Sequence, residues 1–321
     1  MKSLQNINDL NSQPVSGGVL VNNIEKRYGS KKDIITALQG ISFEVNKGEL
    51  FGIIGPDGAG KTSLFRILAT LLLADGGTAT VDGLDVVKDY KQIRQRVGYM
   101  PGKFSLYPDL TVQENLEFFA TVFKTSIKEN YDLVKDIYSQ IEPFKHRKAG
   151  KLSGGMKQKL ALSCALIHRP SVLLLDEPTT GVDAVSRKEF WEMLKRLKEQ
   201  EITILVSTPY MDEASLCDRI ALIQSGKLLS VNTPGGVVKA FGKKLVAVKS
   251  ENMLELLNDL KRFENIENAY PFGAYHHAVM KNGDAKEVEN YLIKTGRKFE
   301  LKNVEPDIED CFIALMREPN E

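Results

Sequence analysis

The stretch "ELFGIIGPDGAGKTSLF", residues 49–65, decides the fold. Its first half is apolar and rich in branched side chains, the pattern of a strand covered on both faces. Its second half, Gly55-Pro56-Asp57-Gly58-Ala59-Gly60-Lys61-Thr62, fills every required position of G-x-x-x-x-G-K-[ST] and turns helical after Gly60. Glycines let the backbone wrap a phosphate with its N–H groups pointing inward, and the following helix adds the positive end of its dipole. Lys61 brings a point charge to β- and γ-phosphates, and the Thr62 hydroxyl reaches Mg²⁺. Gly55 to Ser63 is therefore the candidate nucleotide-phosphate segment.

Moving outward, "SVLLLDEP" (171–178) is a second buried strand and "ITILVS" (202–207) a third, with a helix over 185–200 between them. Strand, helix, strand is the signature of a parallel sheet. Asp176 ends its strand at the carboxyl edge, where ligands of open α/β sheets lie, and is suited to holding Mg²⁺ through water. Glu177 follows, placed to polarise an attacking water. Without the phosphate loop, the same pair would read as a surface carboxylate pair before a proline turn.

"KLSGGMKQKLALSCAL" (151–166) opens a helix on Ser153, an N-cap type, followed by Gly154 and Gly155. That makes a second anion-facing helix terminus, or simply a capped surface helix. Residues 18–28 read as a strand ending at Tyr28, and "ISFEV" (41–45) as another. Asp82-Gly83 is a hairpin turn within "TATVDGLDV". From Leu110 to His168 the pattern is helical. Past about residue 238 a second unit follows: strand, amphipathic helix with Met253, Leu256, Leu257 and Leu260 on one face, strand, helix, strand, and a last helix near Pro306.

Composition bounds the rest. The chain has 321 residues, enough for two domains, with 43 Lys+Arg against 42 Asp+Glu and a net charge of +1. No overall basic field recommends nucleic acid as a partner. The apolar runs are too short to span a bilayer. Residues 1–17 lack the apolar core of a secretion signal and read as a polar tail. Three widely spaced cysteines, Cys164, Cys217 and Cys311, argue against a disulfide framework or a zinc site and fit a reducing compartment.

"GPDGAGKT", "LSGGMKQK", "LLLDEPTTGVD" and "YMDEA", in this order, resemble the ATPase subunit of an ABC transporter over residues 18–237. The resemblance implies an α/β phosphate-loop NTPase. It would have a mixed, mostly parallel core sheet, an antiparallel edge subdomain and a helical subdomain at about 102–170, with residues 238–321 as a small C-terminal α+β domain. It implies a head-to-tail dimer with ATP and Mg²⁺ between the loop of one subunit and Leu152-Ser153-Gly154-Gly155-Met156 of the other. Tyr28 matches the aromatic that stacks on adenine, although a strand-end surface tyrosine reads the same. Asp183 matches the loop that signals across the dimer. The helical subdomain would grip a membrane permease, placing the chain on the cytoplasmic face of the cell membrane. "VEPDIEDCFIALM" (304–316) resembles the tail of subunits that drive ABC-2 type exporters.

Two positions depart from the family. After "VST" the family has a histidine that contacts the γ-phosphate, whereas this chain has Pro209, with no N–H and no polar side-chain group. None of the four histidines, His146, His168, His276 and His277, ends that strand. After "VGYMP" (97–101) the family has a glutamine that contacts Mg²⁺ and forms a hinge. Here stands Gly102, the most flexible residue for such a joint. The expectation is a site that binds ATP through Lys61, Thr62, Asp176 and Glu177 but turns over slowly, paired with an intact second ATPase. Water covering both losses is the alternative, as are, for the whole chain, a soluble ATP-gated clamp or a regulatory nucleotide-binding subunit.

Overall fold

Three short, fully buried strands, "LFGII", "VLLLD" and "TILVST", lie side by side in one six-stranded sheet. Branched and leucine side chains on both faces leave them no place but the middle of a covered sheet. The computed structural model describes residues 18–30, 33–103, 105–281 and 283–316. The polar tail read over 1–17 lies outside the described residues. The chain divides into two compact units between Pro234 and Gly235.

In chain order the first unit holds β1 (Val19–Tyr28), β2 (Ile35–Val45), β3 (Leu50–Ile54), α1 (Lys61–Leu68), β4 (Gly76–Val81), β5 (Leu84–Asp85), α2 (Tyr90–Arg96) and β6 (Val97–Met100). There follow α3 (Val112–Val122), α4 (Tyr131–Tyr138), α5 (Gly154–Leu166), β7 (Val172–Asp176), α6 (Ala184–Glu199), β8 (Thr203–Thr208), β9 (Arg219–Gln224) and β10 (Lys227–Asn232). The core sheet has the order β10-β9-β3-β8-β7-β6. Its β9-β3-β8-β7-β6 run is parallel, and β10 returns antiparallel through Ser225-Gly226, both at positive φ. A second, antiparallel sheet runs β2-β1-β4-β5, closed at Asp82-Gly83, again both at positive φ. Phe51, Ile53, Leu64, Phe65 and Leu174 fill one core between α1 and the strands.

The parallel register brings the strand ends to one edge. Ile54 pairs with Thr208, Asp176 with Ser207, and Met100 with Leu175. Hence residues 55, 102, 177 and 209, each just past a strand end, emerge side by side.

Among the described residues, three α-helices, α3 to α5, and two 3₁₀ turns, Glu142–Phe144 and Ala149–Lys151, stand where the sequence reads a helical region. A capping box starts α3: the Glu114 N–H donates to Thr111 Oγ1 at 3.1 Å, and the Thr111 N–H to Glu114 Oε2 at 2.7 Å. Helices α3 and α4 both pack on α5. Strands β9 and β10 escape the sequence reading, and β2 begins six residues before "ISFEV". Gly40, at φ 76, lies within it, and register shifts interrupt its pairing with β1, which blurs the alternation.

Helix α7 (Pro234–Phe241) begins on the last residue of the first unit and leads into the second. The second unit then runs β11 (Leu245–Ser250), α8 (Met253–Arg262), β12 (Ile266–Phe272), β13 (Tyr275–Met280), α9 (Ala285–Lys294), β14 (Phe299–Val304) and α10 (Ile308–Leu315). The antiparallel order β12-β13-β11-β14 makes a split βαββαβ unit. Leu256, Leu260, Val288 and Leu292 pack on one face of the sheet. Strand β12 carries Pro271 and lies at the sheet edge, the place where proline costs no ladder bond, which is why the sequence hid it. Asp310, fully buried, accepts from Tyr270 Oη and bonds His277 Nδ1, both at 2.7 Å, and ties α10 to the sheet. All three cysteines are buried and unpaired, and burial pushes the Cys311 thiol up to about 12.

Candidate functional site

The loop after β3 has its shape because neighbours leave no room for side chains. A Cβ on Gly55 would sit 2.2 Å from the Ile223 carbonyl oxygen, and one on Gly60 2.3 Å from that of Ala37. Gly60 also has φ 105. Gly58, at φ 77, faces open space, so its glycine is a matter of backbone conformation alone. The β9–β10 hairpin braces the loop: the Gly226 N–H donates to the Ala59 carbonyl at 3.0 Å. Asp57 is exposed, Pro56 half-buried and Ala59 buried.

Lys61, the first residue of α1, is buried, at 3% exposure. Its ammonium donates to the carbonyls of Gly55 (2.8 Å) and Pro56 (3.0 Å) and pairs with Glu177 Oε1 at 3.0 Å. All three of its N–H donors are thus spoken for inside the chain. Thr62 Oγ1 donates to Asp176 Oδ1 at 3.3 Å, and Ser207 Oγ donates to the same oxygen at 2.8 Å. Burial pushes the Asp176 carboxyl above its ordinary value, against the opposing hydrogen bonds from Ser207 and Thr62. Glu177 leaves the strand at φ 52, an uncommon conformation for a residue with a Cβ. Ser207 holds it there, since the Glu177 N–H donates to both Ser207 Oγ (2.9 Å) and the Ser207 carbonyl (3.1 Å). The structure therefore brings Lys61, Thr62, Asp176 and Glu177 into one bonded cluster, with Ser207 as a member that sequence reading missed. Its signal was a hydroxyl one strand over, in register with Asp176.

Tyr28 sits at the mouth. Its hydroxyl shares a 3.0 Å hydrogen bond with Ser63 Oγ, the residue is 39% exposed, and the Lys26 ammonium lies 5.7 Å from the ring centroid. The ring is both anchored and available for stacking. Gly102 lies against the carboxylates: a Cβ there would be 3.0 Å from the Asp176 carbonyl oxygen and 3.7 Å from Glu177 Cβ. Beyond flexibility, then, close packing explains a glycine at 102. Pro209 is half-buried just past Thr208, whose carbonyl accepts the Gly55 N–H at 3.3 Å.

Ser153 to Met156 stand on a different pair of elements. The Met156 N–H donates to Ser153 Oγ at 3.3 Å, Ser153 and Gly154 are exposed, and Leu152 is buried. A Cβ on Gly155 would come 2.5 Å from Ser186 Oγ, so this glycine lets the start of α5 approach the start of α6. Asp183 caps α6, accepting from the Ser186 N–H at 3.0 Å and the Val185 N–H at 3.1 Å. The Ser186 bond first among these holds its carboxyl below the usual range.

Set against known proteins, residues 38–180 match the family described as ABC transporter. The probable multidrug ABC transporter ATP-binding protein YbhF of Escherichia coli K12 is 36% identical over 304 residues, 93% of this chain and 52% of that protein. This chain thus spans about half the length of that relative. The Nod factor export ATP-binding protein I of Burkholderia lata is 38% identical over 245 residues, 75% of this chain and 79% of that protein. The ATP-binding cassette MJ0796, solved as a dimer in a post-hydrolysis state with ADP and Pi, superposes with a TM-score of 0.61 at 28% identity. It covers 67% of this chain and 98% of the cassette. The matched segment contains the loop, the Ser153 helix start and the strand ending in Asp176, and one relative aligns over most of its own length, so the chain belongs to the ABC transporter family.

Proposed function

We propose that this chain is the ATP-binding and ATP-hydrolysing subunit of an ABC exporter of the ABC-2 type, driving a separate membrane permease from the cytoplasmic face. The observation that supports the reading is the Lys61–Glu177 pair beside the Thr62–Asp176 bond, a buried ammonium and two carboxylates meeting at one strand edge. Residues 18–237 form the ATPase domain in this reading and residues 238–321 an accessory domain. Export is supported by relatives named for multidrug and Nod factor export. No helix among the described residues is long and apolar enough to cross a membrane.

Each residue has a task that its geometry suits. The N–H groups of Gly55 to Thr62 wrap the phosphates, and Lys61 exchanges one of its internal partners for a phosphate oxygen. Tyr28 offers its face to adenine. Thr62 and Asp176 would hold Mg²⁺, which supplies charge neutralisation on the phosphates when bound. Glu177, freed from Lys61, orients and accepts a proton from the attacking water. Leu152 to Met156 complete the site of a partner ATPase, with Asp183 at the joint. Gly102 and Pro209 leave this chain's own site without two positioning groups, so it acts slowly and favours a heterodimer with an intact second ATPase. The same proline supports a regulatory subunit without turnover as the second reading.

Steady-state hydrolysis separates the two. Slow, Mg²⁺-dependent ATP hydrolysis by the purified chain, abolished by EDTA, is expected; binding with no turnover selects the regulatory reading.

Asp176 gives a test with a stability readout. A carboxyl whose pKa is raised on folding contributes stability that is present below its unfolded value and is lost as pH rises through the folded one, so Asp176 favours the folded state less as pH rises. Asp176→Asn keeps an oxygen for both Ser207 and Thr62. Without nucleotide its thermal midpoint should rise above that of the parent chain. Mg²⁺ with ATP should no longer raise the midpoint as it does for the parent chain. A lower midpoint without nucleotide would contradict the assignment.

A further inference from the structure

Glu213 is a buried carboxylate that the proposed chemistry does not use. It is 2% exposed and lies in the short helical turn Met211–Leu216 after β8. One of its oxygens, Oε2, takes two hydroxyl donors: Thr208 Oγ1 at 2.5 Å and Thr179 Oγ1 at 3.1 Å. Both donors are themselves buried. The other oxygen, Oε1, is buried without a hydrogen-bond partner, and Arg187 Nε, on α6, approaches it only to 3.8 Å. A buried carboxylate oxygen left without a donor costs free energy, so packing convenience is a poor reason for an acid here.

The two donors stand at telling places. Thr179 is two residues past Glu177. Thr208 immediately precedes Pro209, and its carbonyl accepts the N–H of Gly55, the first residue of the phosphate loop. The Thr208 hydroxyl also accepts the Tyr210 N–H at 3.1 Å, so one hydroxyl fixes the backbone on both sides of the proline. A single oxygen thus ties the segment just past β7, which carries Glu177 and Thr179, to the end of β8, which borders the loop. Displacement of either strand end breaks one of two bonds to that oxygen.

We propose that Glu213 is a positioning residue for ATP hydrolysis, holding Glu177 in register with the phosphate loop through Thr179 and Thr208 at a site whose residue 209 contributes no side-chain hydrogen bond. This rests on the hydrolytic reading given above. Misplacement by about 1 Å is enough to slow a reaction that depends on oriented groups, while nucleotide affinity, set by the loop, stays put.

The test uses the full chain and compares Thr208→Val, which removes the hydroxyl at nearly constant volume, with Thr208→Ser, which keeps it. ATP affinity, kcat and thermal midpoint are measured well below each variant's midpoint. Thr208→Val should lower kcat about fivefold or more with ATP affinity within about twofold of the parent, and Thr208→Ser should restore most of the rate. Glu213→Gln should fall between the two, since its amide still offers one oxygen. A folded Thr208→Val with the parent kcat overturns the proposal. So does a loss of kcat and affinity together, which marks a merely structural role. Should Thr208→Val fail to fold, Thr179→Val carries the same expectation, and a full rate there overturns it. A parent chain with no turnover at all removes the hydrolytic reading and this inference with it, whereas a parent that turns over normally beside an unaffected Thr208→Val removes this inference alone.

Discussion

Lys61→Ala should weaken ATP binding by about 10²-fold or more, the loss expected when a charge-assisted phosphate contact disappears from a partly desolvated loop. The structure sharpens this expectation. Lys61 is held among the carbonyls of Gly55 and Pro56 and the Glu177 carboxylate, so its ammonium is already aimed into the loop before a phosphate arrives. Little side-chain entropy remains to be lost on binding. The same contacts mean that alanine leaves two loop carbonyls and a half-buried carboxylate without their cation. A modest loss of stability should accompany the loss of affinity, and it must be separated from it. Titration calorimetry with ATP on protein shown folded by its melting transition does so. Affinity within a few-fold of the parent would remove the assignment of Gly55 to Ser63 as the phosphate site.

Pro209→His should raise the steady-state ATPase rate of the purified chain about tenfold or more, within the 10–10²-fold range of a single positioning group. Residue 209 follows the Ile54–Thr208 register pair and so flanks the phosphate loop. Proline there offers neither an N–H nor an imidazole. The substitution also frees a backbone restraint, worth about 0.4–1 kcal/mol through the unfolded chain, so the melting transition should fall slightly while ATP affinity holds. Gly102→Gln is a less clean companion. Its Cβ would press on the Asp176 carbonyl at 3.0 Å, and the end of β7 must yield by a few tenths of an ångström. The double variant should therefore gain no more than the single change unless that strand end accommodates it. A parent chain already turning over at ordinary transporter rates, or a stable Pro209→His with no gain, would show that Pro209 does not limit the site.

Much of this was legible along the chain. Glycine positions, a lysine and a threonine at fixed spacing after an apolar strand foretell a tight loop running into a helix, as the structure has it, because local backbone geometry is a short-range property. The same holds for the buried strands β3, β7 and β8, whose continuous apolar runs admit one environment, and for helix starts such as Ser153 and Asp183, where the cap lies within three residues of what it caps. Pro209 and Gly102 stood out because neighbouring motifs said which residues belong there.

Tertiary structure alone decided the rest. Ser207 and Glu213 matter through partners 31 and 34 residues away, Asp176 and Thr179, brought close by the parallel register of β7 and β8 and by the turn that follows β8. The need for glycine at 55 and 60 comes from carbonyls of Ile223 and Ala37, and the packing limit at Gly102 from that of Asp176. Strand β12 carries a proline and is tolerated only because the fold puts it at an edge. Periodicity reports which face of an element is buried. It is silent on which hydroxyl meets which carboxylate, because that choice is made by strand order and register, and those belong to the folded chain.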